Sequence, residues 1–221
     1  MEPYEVSRTE AGLKIHGFPD GVKVIAIDGP RAQRLADLAL HRSDLQFAID
    51  CLDTINSFPE NPEIAREALW RSAIVHFFKC FGDAGARFQM SVEKVLKSEG
   101  PTAMLVFNYF KSLRNKHLVH DENSYSQSLP GAVLNNGTKE YKIEKIICFA
   151  TNAVTLVPEN FSNLKLLTEK ALKWVETEFD ALCNSLTSEL ETVAYHELMT
   201  RTPMTFRTPA GEDLHRRRRA P

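Results

Sequence analysis

The chain has 221 residues, of which 43% are hydrophobic and 25% are charged, and its formal net charge is −2. These values are typical of globular proteins, and they argue against wholesale disorder and against a membrane protein. The near-neutral net charge gives no support for general nucleic-acid binding, although a local basic patch is compatible with it. Because the N-terminus is polar and no apolar run reaches the ~18 residues needed to span a bilayer, we expect a cytoplasmic protein.

The sequence contains none of the common motifs for cofactors or metals. There is no G-x-G-x-x-G, no phosphate-binding lysine loop, no G-x-S-x-G and no H-E-x-x-H. The four cysteines lie far apart without zinc-type spacing, so we expect them to be reduced and structural; they are Cys51, Cys80, Cys148 and Cys183. We therefore expect neither a cofactor nor a bound metal.

The first 55 residues divide into an N-terminal extension and a helical segment. Residues 1–20 show no clear periodicity, whereas the β-branched run GVKVIAIDGP at 21–30 predicts a short strand. From 31 to about 55, apolar residues recur every three or four positions, which predicts helix. The pattern has one gap near His41, where Ser43 or Asp44 is a suitable cap for a second helix.

Three further helical segments follow a proline-rich break at 57–63. Asn61 is a suitable cap for a helix from Pro62 to about Phe81, and the stretch 86–100 reads as a shorter helix or helical loop. Pro101 begins a helix whose apolar residues repeat as far as Leu113.

The last third of the chain carries a hairpin signal, a long helix and a basic tail. The turn formers NNGT predict a small β-hairpin with strands at 131–135 and 140–149, within an insert at about 126–150. Residues 164–193 keep one amphipathic helical period. The residues from 201 to 221 end in a basic run, Arg216 to Arg219, and their composition predicts disorder. The whole pattern predicts a mainly α protein, a four-helix up-and-down bundle with the hairpin before the last helix.

The stretch SLRNKHLVHDE, residues 112–122, groups the residue types that cleave RNA without a metal. Arginine is a permanent cation with a planar fork of donors that matches phosphate, and histidine exchanges protons near neutral pH. The stretch offers Arg114, His117 and His120, with Asn115 and Asp121 beside them. The alternative is purely structural, because Arg, Lys and His also gather in the last turn of helices, where they complement the helix dipole.

The run LRNKHLVHD resembles the R-x(4–6)-H motif of the HEPN superfamily, and the closest likeness is to abortive-infection-type HEPN proteins. Arg114 matches the motif arginine and Asn115 its polar neighbour. His120, separated from Arg114 by five residues, matches the motif histidine. The motif covers fewer than a dozen residues, whereas the looser helical pattern extends over about 31–198. The resemblance implies a HEPN-like helical domain over 31–200. It departs from the H-x-Y form of some HEPN toxins, because Asp121 and Glu122 follow His120 and the nearest tyrosine is Tyr125.

The resemblance also implies an activity and partners. HEPN domains commonly form homodimers whose motifs meet in one composite cleft, and many are metal-independent ribonucleases of toxin or antiphage systems. We therefore expect an endoribonuclease that leaves a 2′,3′-cyclic phosphate, acts on RNA and is regulated by an antitoxin or another protein. The alternative is a non-catalytic HEPN module that binds RNA or a partner protein.

Helix geometry leaves open which histidine is the acid/base. At about 100° per residue, His120 lies far round an ideal helix from Arg114, whereas His117 lies close to the face of Arg114. Arg114 and His120 converge within one chain only if the helix distorts or ends near Leu118; otherwise a second subunit completes the site. His120 fits the family motif and His117 fits the helix face, with Asn115 and Asp121 in supporting roles.

Overall fold

The computed structural model describes residues 5–9, 12–57, 62–83, 85–120, 122–206 and 208–216. Two short strands come first, β1 (Glu5–Thr9) and β2 (Gly12–His16), followed by helices α1 (Pro30–Ser57), α2 (Glu63–Lys79), α3 (Val92–Val95) and α4 (Pro101–Leu113). A π-helical turn (Arg114–Val119), strands β3 (Ser126–Leu134) and β4 (Ile143–Asn152), helices α5 (Pro158–Leu190) and α6 (Tyr195–Thr200), and a 3₁₀ turn (Gly211–His215) complete the order. The predicted mainly helical class, with a hairpin directly before the last long helix, is confirmed.

Several predicted elements differ in detail. Residues 21–30 do not form the predicted strand. A single β-bridge joins Ile25 to Pro203, and one bridge is too little pairing to make a strand. Helix α1 is continuous through His41, and no new helix begins at Ser43 or Asp44. Only four residues of the stretch 86–100 are helical. The predicted cap Asn61 lies outside the described residues.

The two hairpins show what the periodicity could and could not indicate. The predicted hairpin exists, and its turn includes the predicted NNGT, where Gly137 has φ +79°. β3 is longer than the predicted strand at 131–135, whereas β4 has the predicted length but lies three residues further along the chain than 140–149. The N-terminal hairpin β1–β2 was not predicted, because its strands are short: β1 contains a single apolar residue, Val6, and the alternation in β2 is limited to Leu13 and Ile15. In the predicted tail, residues 211–215 form a 3₁₀ turn, and Arg217 to Arg219 lie outside the described residues.

The chain divides into two compact units. The first comprises Met1–Arg42, Asp83–Gln89 and Trp174–Pro221. In it, the backbone of Phe88 is held on both sides: its N–H donates to the Asp37 carboxylate at 3.1 Å, and its carbonyl lies 2.9 Å from His41 Nε2. His41 is fully buried, so this loop is fixed to α1 by polar groups inside the unit.

The second unit comprises Ser43–Gly82 and Met90–Lys173, and it contains the predicted site. Its core is aromatic: Phe77 and Phe107 lie with ring centroids 6.1 Å apart, and Phe78 and Phe81 pack around them. Trp70 and Phe110 are fully buried in the same unit. Burial of these large side chains fixes α2 against α4, and α4 leads directly into the candidate site. None of the described helices has the length and apolarity required of a membrane span.

Candidate functional site

The candidate site begins where α4 changes its hydrogen-bonding pattern. Leu113 is the last α-helical residue, and Arg114 to Val119 form a π-helical turn. His120 then leaves the helix with extended backbone angles, φ −134° and ψ 144°. Single π-turns within helices are rare, and they are frequently found at functional sites. Such a turn changes the direction of the side chains that follow it. Arg114 and His120 can approach each other within one chain only if the helix distorts or ends near Leu118. The π-helical turn is a distortion in that segment.

Arg114 and Asn115 are brought together by this turn. The Arg114 guanidinium donates from Nη1 to the Asn115 side-chain oxygen at 2.7 Å. Its Nε–H is buried and has no hydrogen-bond partner among the described residues. An unpaired buried donor costs free energy, so this Nε–H would be stabilised by an acceptor oxygen.

His117 lies inside the unit. The residue is only 7% exposed, and its Nδ1 is 3.5 Å from the Ser126 hydroxyl, which is a weak contact. Its ring meets the edge of Tyr125 at a centroid distance of 5.5 Å. Thus the first residues of the hairpin cover His117 on one side.

His117 lines a polar groove of about 390 Å³. The lining combines one arginine, this histidine, hydroxyl groups and amides, and it includes no carboxylate; the residues are Arg71, His117, Ser126, Gln127, Ser128, Ala150, Thr151 and Asn152. A groove that offers donors without a carboxylate suits an anionic or hydrogen-bond-accepting ligand.

Arg71 is the cation of this groove, and sequence reasoning missed it. It lies on α2, where its Nε donates to Glu67 Oε1 at 2.6 Å across one helical turn. That bond uses one of its five donors, so the Nη groups remain available to a ligand. Nothing in the sequence distinguishes Arg71 from an ordinary surface arginine, and only the fold places it beside His117.

His120 is exposed and begins the loop to the hairpin. In the described part of the chain, its ring makes no hydrogen bond to Arg114 or to His117. The structure therefore brings Arg114 to Asn115 and His117 to Ser126, but it does not join His120 to either pair. Asp121, the predicted supporting carboxylate, lies outside the described residues.

A polar network joins α4 to the start of α5. Asn160 donates to the Tyr109 hydroxyl at 3.0 Å and to the Thr155 carbonyl at 2.9 Å. Burial raises the pKa of Tyr109 and the proximity of Tyr125 adds to that rise, whereas the hydrogen bond from Asn160 opposes it. Tyr109 thereby connects the start of α5 to the tyrosine that covers His117.

Other titratable clusters in the described residues are structural. His76 holds the largely buried Asp44 through Nδ1 at 2.7 Å, and Lys79 reaches the same carboxylate oxygen at 2.6 Å. Across the described residues, no three His, Cys, Asp or Glu side chains are grouped as metal ligands are.

Comparisons with known proteins give no assignment: the sequence matches no protein family model, no curated protein and no solved structure.

Proposed function

We propose that this chain is a HEPN-type endoribonuclease that cleaves RNA without a metal and leaves a 2′,3′-cyclic phosphate and a 5′-hydroxyl. In this proposal it is a toxin or antiphage effector of the cytoplasm, controlled by an antitoxin or another regulatory protein. The long helices α1, α2, α4 and α5 would form the HEPN-like four-helix bundle, with the hairpin between the third and the fourth.

The charge of the site segment supports an RNA ligand. From 101 to 120 the sequence contains no acidic residue, whereas it contains Lys111, Arg114 and Lys116 as well as His117 and His120. The net charge of the chain is therefore a poor guide to this surface, because the cations are concentrated at the end of α4. A phosphodiester is the biological anion that such a cluster of cations and histidines would bind.

The π-turn with the unsatisfied Nε–H of Arg114 is the observation that carries the proposal. Arg114 keeps a buried Nε–H without an acceptor, and Asn115 holds the other side of the guanidinium. A guanidinium oriented in this way would donate to a phosphate oxygen as negative charge develops on it. Catalysis would then consist of orientation and charge stabilisation around the scissile phosphate.

The two histidines have different roles in this proposal. His120 is exposed at the end of the turn, so it can approach the 2′-hydroxyl or the leaving 5′-oxygen and transfer the proton as acid or base. His117 is buried beside Ser126 and faces the polar groove, where it would position the strand next to the cleaved bond. Asn115 and Asp121 would support the bound RNA, and a second subunit would complete the cleft.

The decisive experiment compares four proteins on RNA at neutral pH with EDTA: the wild type, His120→Ala, His117→Ala and the control His196→Ala. His196 is an exposed histidine on α6, outside the site. We expect cleavage by the wild type and by the control, and a loss of roughly 10²–10⁴-fold in His120→Ala, the usual size of an acid–base contribution. Intact RNA with the wild type, or cleavage that EDTA abolishes, contradicts the proposal.

A non-catalytic module that binds RNA or a partner protein is the second candidate. The exposed apolar side chains of the β3–β4 hairpin favour it, because a hairpin of this kind is suited to protein contact. This candidate predicts that His120→Ala changes neither folding nor binding, while changes on the hairpin abolish association.

A further inference from the structure

The β3–β4 hairpin exposes nearly all of its side chains. Each residue of β4 and each residue of β3 except Ser126 is exposed. Seven of these residues are large and apolar: Leu129, Val133, Leu134, Ile143, Ile146, Ile147 and Phe149. Phe149 keeps 60% of its surface in contact with solvent and Ile146 keeps 69%.

The register divides these side chains between two faces. Leu129 pairs with Phe149 and Gly131 with Ile147, so the large apolar residues of one face lie side by side up to Lys145. The opposite face carries no charge along its centre and consists of small and aliphatic residues: Pro130, Ala132, Ile146, Cys148 and Ala150. Both faces are therefore apolar, whereas a hairpin that lies on its own protein body has one polar, solvated face.

Such a ribbon is unsuited to remain uncovered. Two strands without further packing are marginally stable in water, and β3 and β4 pair with no third strand in the described part of the chain. β4 has ten residues, which at about 3.3 Å each make a ribbon roughly 33 Å long; with a width of about 10 Å, each face offers roughly 330 Å². Two such faces together reach the size of patch that marks an interaction site.

The two edges of the ribbon differ. β3 has Pro130 at its centre, which lacks an N–H and therefore cannot donate to another strand at that position. β4, from Ile143 to Asn152, contains neither proline nor glycine, so its outer edge can pair continuously. An edge of this kind is self-complementary when two copies of it meet antiparallel.

We propose that the β3–β4 hairpin is a dimerisation arm whose two apolar faces are covered by a second copy of this chain. The proposal stands on the side chains of the hairpin and does not depend on RNA cleavage. A two-fold pair of arms gives each arm two covering surfaces: one face meets the arm of the other copy, and the other face meets the body of that copy.

The buried area favours a second copy over an unrelated partner. A protein that covered one arm alone would take roughly 650 Å² from this chain, less than the ~800 Å² that each partner contributes to a stable interface. In a reciprocal dimer each copy buries both faces of its own arm and also the patch of its body that receives one face of the other arm. The area is then roughly 1,000 Å² per copy, or about 2,000 Å² in total, which is where the range of obligate dimers begins. Obligate homodimers also have the more apolar interfaces, which agrees with the uncharged centre of the arm.

The test measures the mass of the full chain in solution over a range of concentrations by analytical ultracentrifugation. The variants are Ile146→Asp on one face and Ile147→Asp on the other, each compared with Leu214→Asp. Leu214 is an apolar residue that is 84% exposed and lies outside the hairpin, so it controls for placing a charge at an exposed apolar position. Circular dichroism and the fluorescence of the buried Trp70 verify the fold of each variant.

We expect a dimeric wild type, an unchanged control, and a dissociation constant raised at least roughly tenfold by each hairpin variant. Because Ile146 and Ile147 are exposed in the single chain, both variants should keep helix content and Trp70 fluorescence. A monomeric wild type at micromolar concentration overturns the proposal and leaves a different protein as the occupant. A dimer that survives both substitutions overturns it as well, because the arm would then be uncovered in the dimer.

Discussion

Trp70 on α2 donates its indole N–H to the Thr155 hydroxyl at 3.0 Å, and both residues are buried, 0% and 3% exposed. Thr155 lies between the end of β4 and the start of α5, so one hydrogen bond joins the helix that carries Arg71 to the segment that follows the hairpin. The polar groove beside His117 adjoins this connection in the sequence, because Arg71 follows Trp70 directly and Asn152 lies three residues before Thr155.

Replacing Thr155 with valine should therefore destabilise the fold while keeping its shape. The substitution leaves the buried Trp70 N–H without an acceptor, which costs about 1–3 kcal/mol. We expect a lower midpoint of urea unfolding, followed by Trp fluorescence, for Thr155→Val. Thr155→Ser keeps the hydroxyl and is the matched control. Equal stability of the two variants contradicts a role for the hydrogen bond.

Gly137 should set the stability of the hairpin turn. Its φ of +79° lies in the left-handed region, and the Asn135 side chain accepts its backbone N–H at 2.8 Å. A Cβ at this position would meet no atom within 4 Å, so the cost of Gly137→Ala is conformational, about 1 kcal/mol. The control is Gly100→Ala, where the added Cβ also meets nothing and φ is −70°.

Hydrogen exchange measures the effect of Gly137→Ala directly. We expect faster exchange of the β3 and β4 amides in this variant and unchanged exchange there in Gly100→Ala. Unchanged hairpin exchange in Gly137→Ala would show that the turn does not limit the stability of the arm.

Tyr109 should make the fold sensitive to alkali. Burial holds its pKa above the usual value, and the neighbouring Tyr125 adds to this. A tyrosine with a raised pKa in the folded state contributes nothing to pH dependence below its unfolded pKa of about 10. Above that pH the unfolded chain ionises first, so stability falls as the pH rises toward the folded pKa.

The matching experiment measures urea unfolding from neutral pH to above pH ~10 for wild type and Tyr109→Phe. The phenylalanine variant should lose the hydrogen bond from Asn160 at all pH values but should show a shallower alkaline decline. An identical alkaline slope in both proteins would assign the pH dependence to other groups.

Periodicity predicted the elements of this fold well because burial imposes it. The apolar repeat of α5 reflects side chains that are buried in the structure, such as Leu164, Ala171 and Val175. The same logic failed at His41, where the gap in the apolar pattern suggested a helix break. His41 is buried through a hydrogen bond to the Phe88 carbonyl, so a polar residue occupies a core position without interrupting the helix.

The site was predictable in part. Arg114, Asn115 and the two histidines lie in one short run, so the sequence could identify them. Arg71 and Ser126 come from α2 and β3, and they reach His117 only through the tertiary fold. The π-turn could not be predicted from the sequence, because no residue type in Arg114–Val119 requires a widened turn. Helix geometry indicated only that a distortion near Leu118 is needed if Arg114 and His120 are to converge.

Arg114→Lys should separate the donor fork of the arginine from its charge. Lysine keeps the positive charge but lacks the Nε–H and the planar geometry that can hold a phosphate through two bonds. If Arg114 stabilises the charge that develops on the phosphate, we expect kcat/KM for RNA cleavage to fall roughly a hundredfold, as on removal of one oriented donor. Stability should fall by no more than about 1 kcal/mol, because the lost Nε–H has no acceptor among the described residues and the bond from Nη1 to Asn115 is the one hydrogen bond removed.

Lys116→Arg is the matched control, since it is the reverse charge-preserving exchange at an exposed position of the same turn. Its cleavage rate and its urea midpoint should both equal those of the wild type. A phosphate-binding role predicts that Arg114→Lys loses activity but remains fully folded. A large loss of stability would mean instead that the guanidinium holds the turn together. Equal cleavage by both variants would leave Arg114 as a helix-end cation, the role that the dipole of α4 alone would give it.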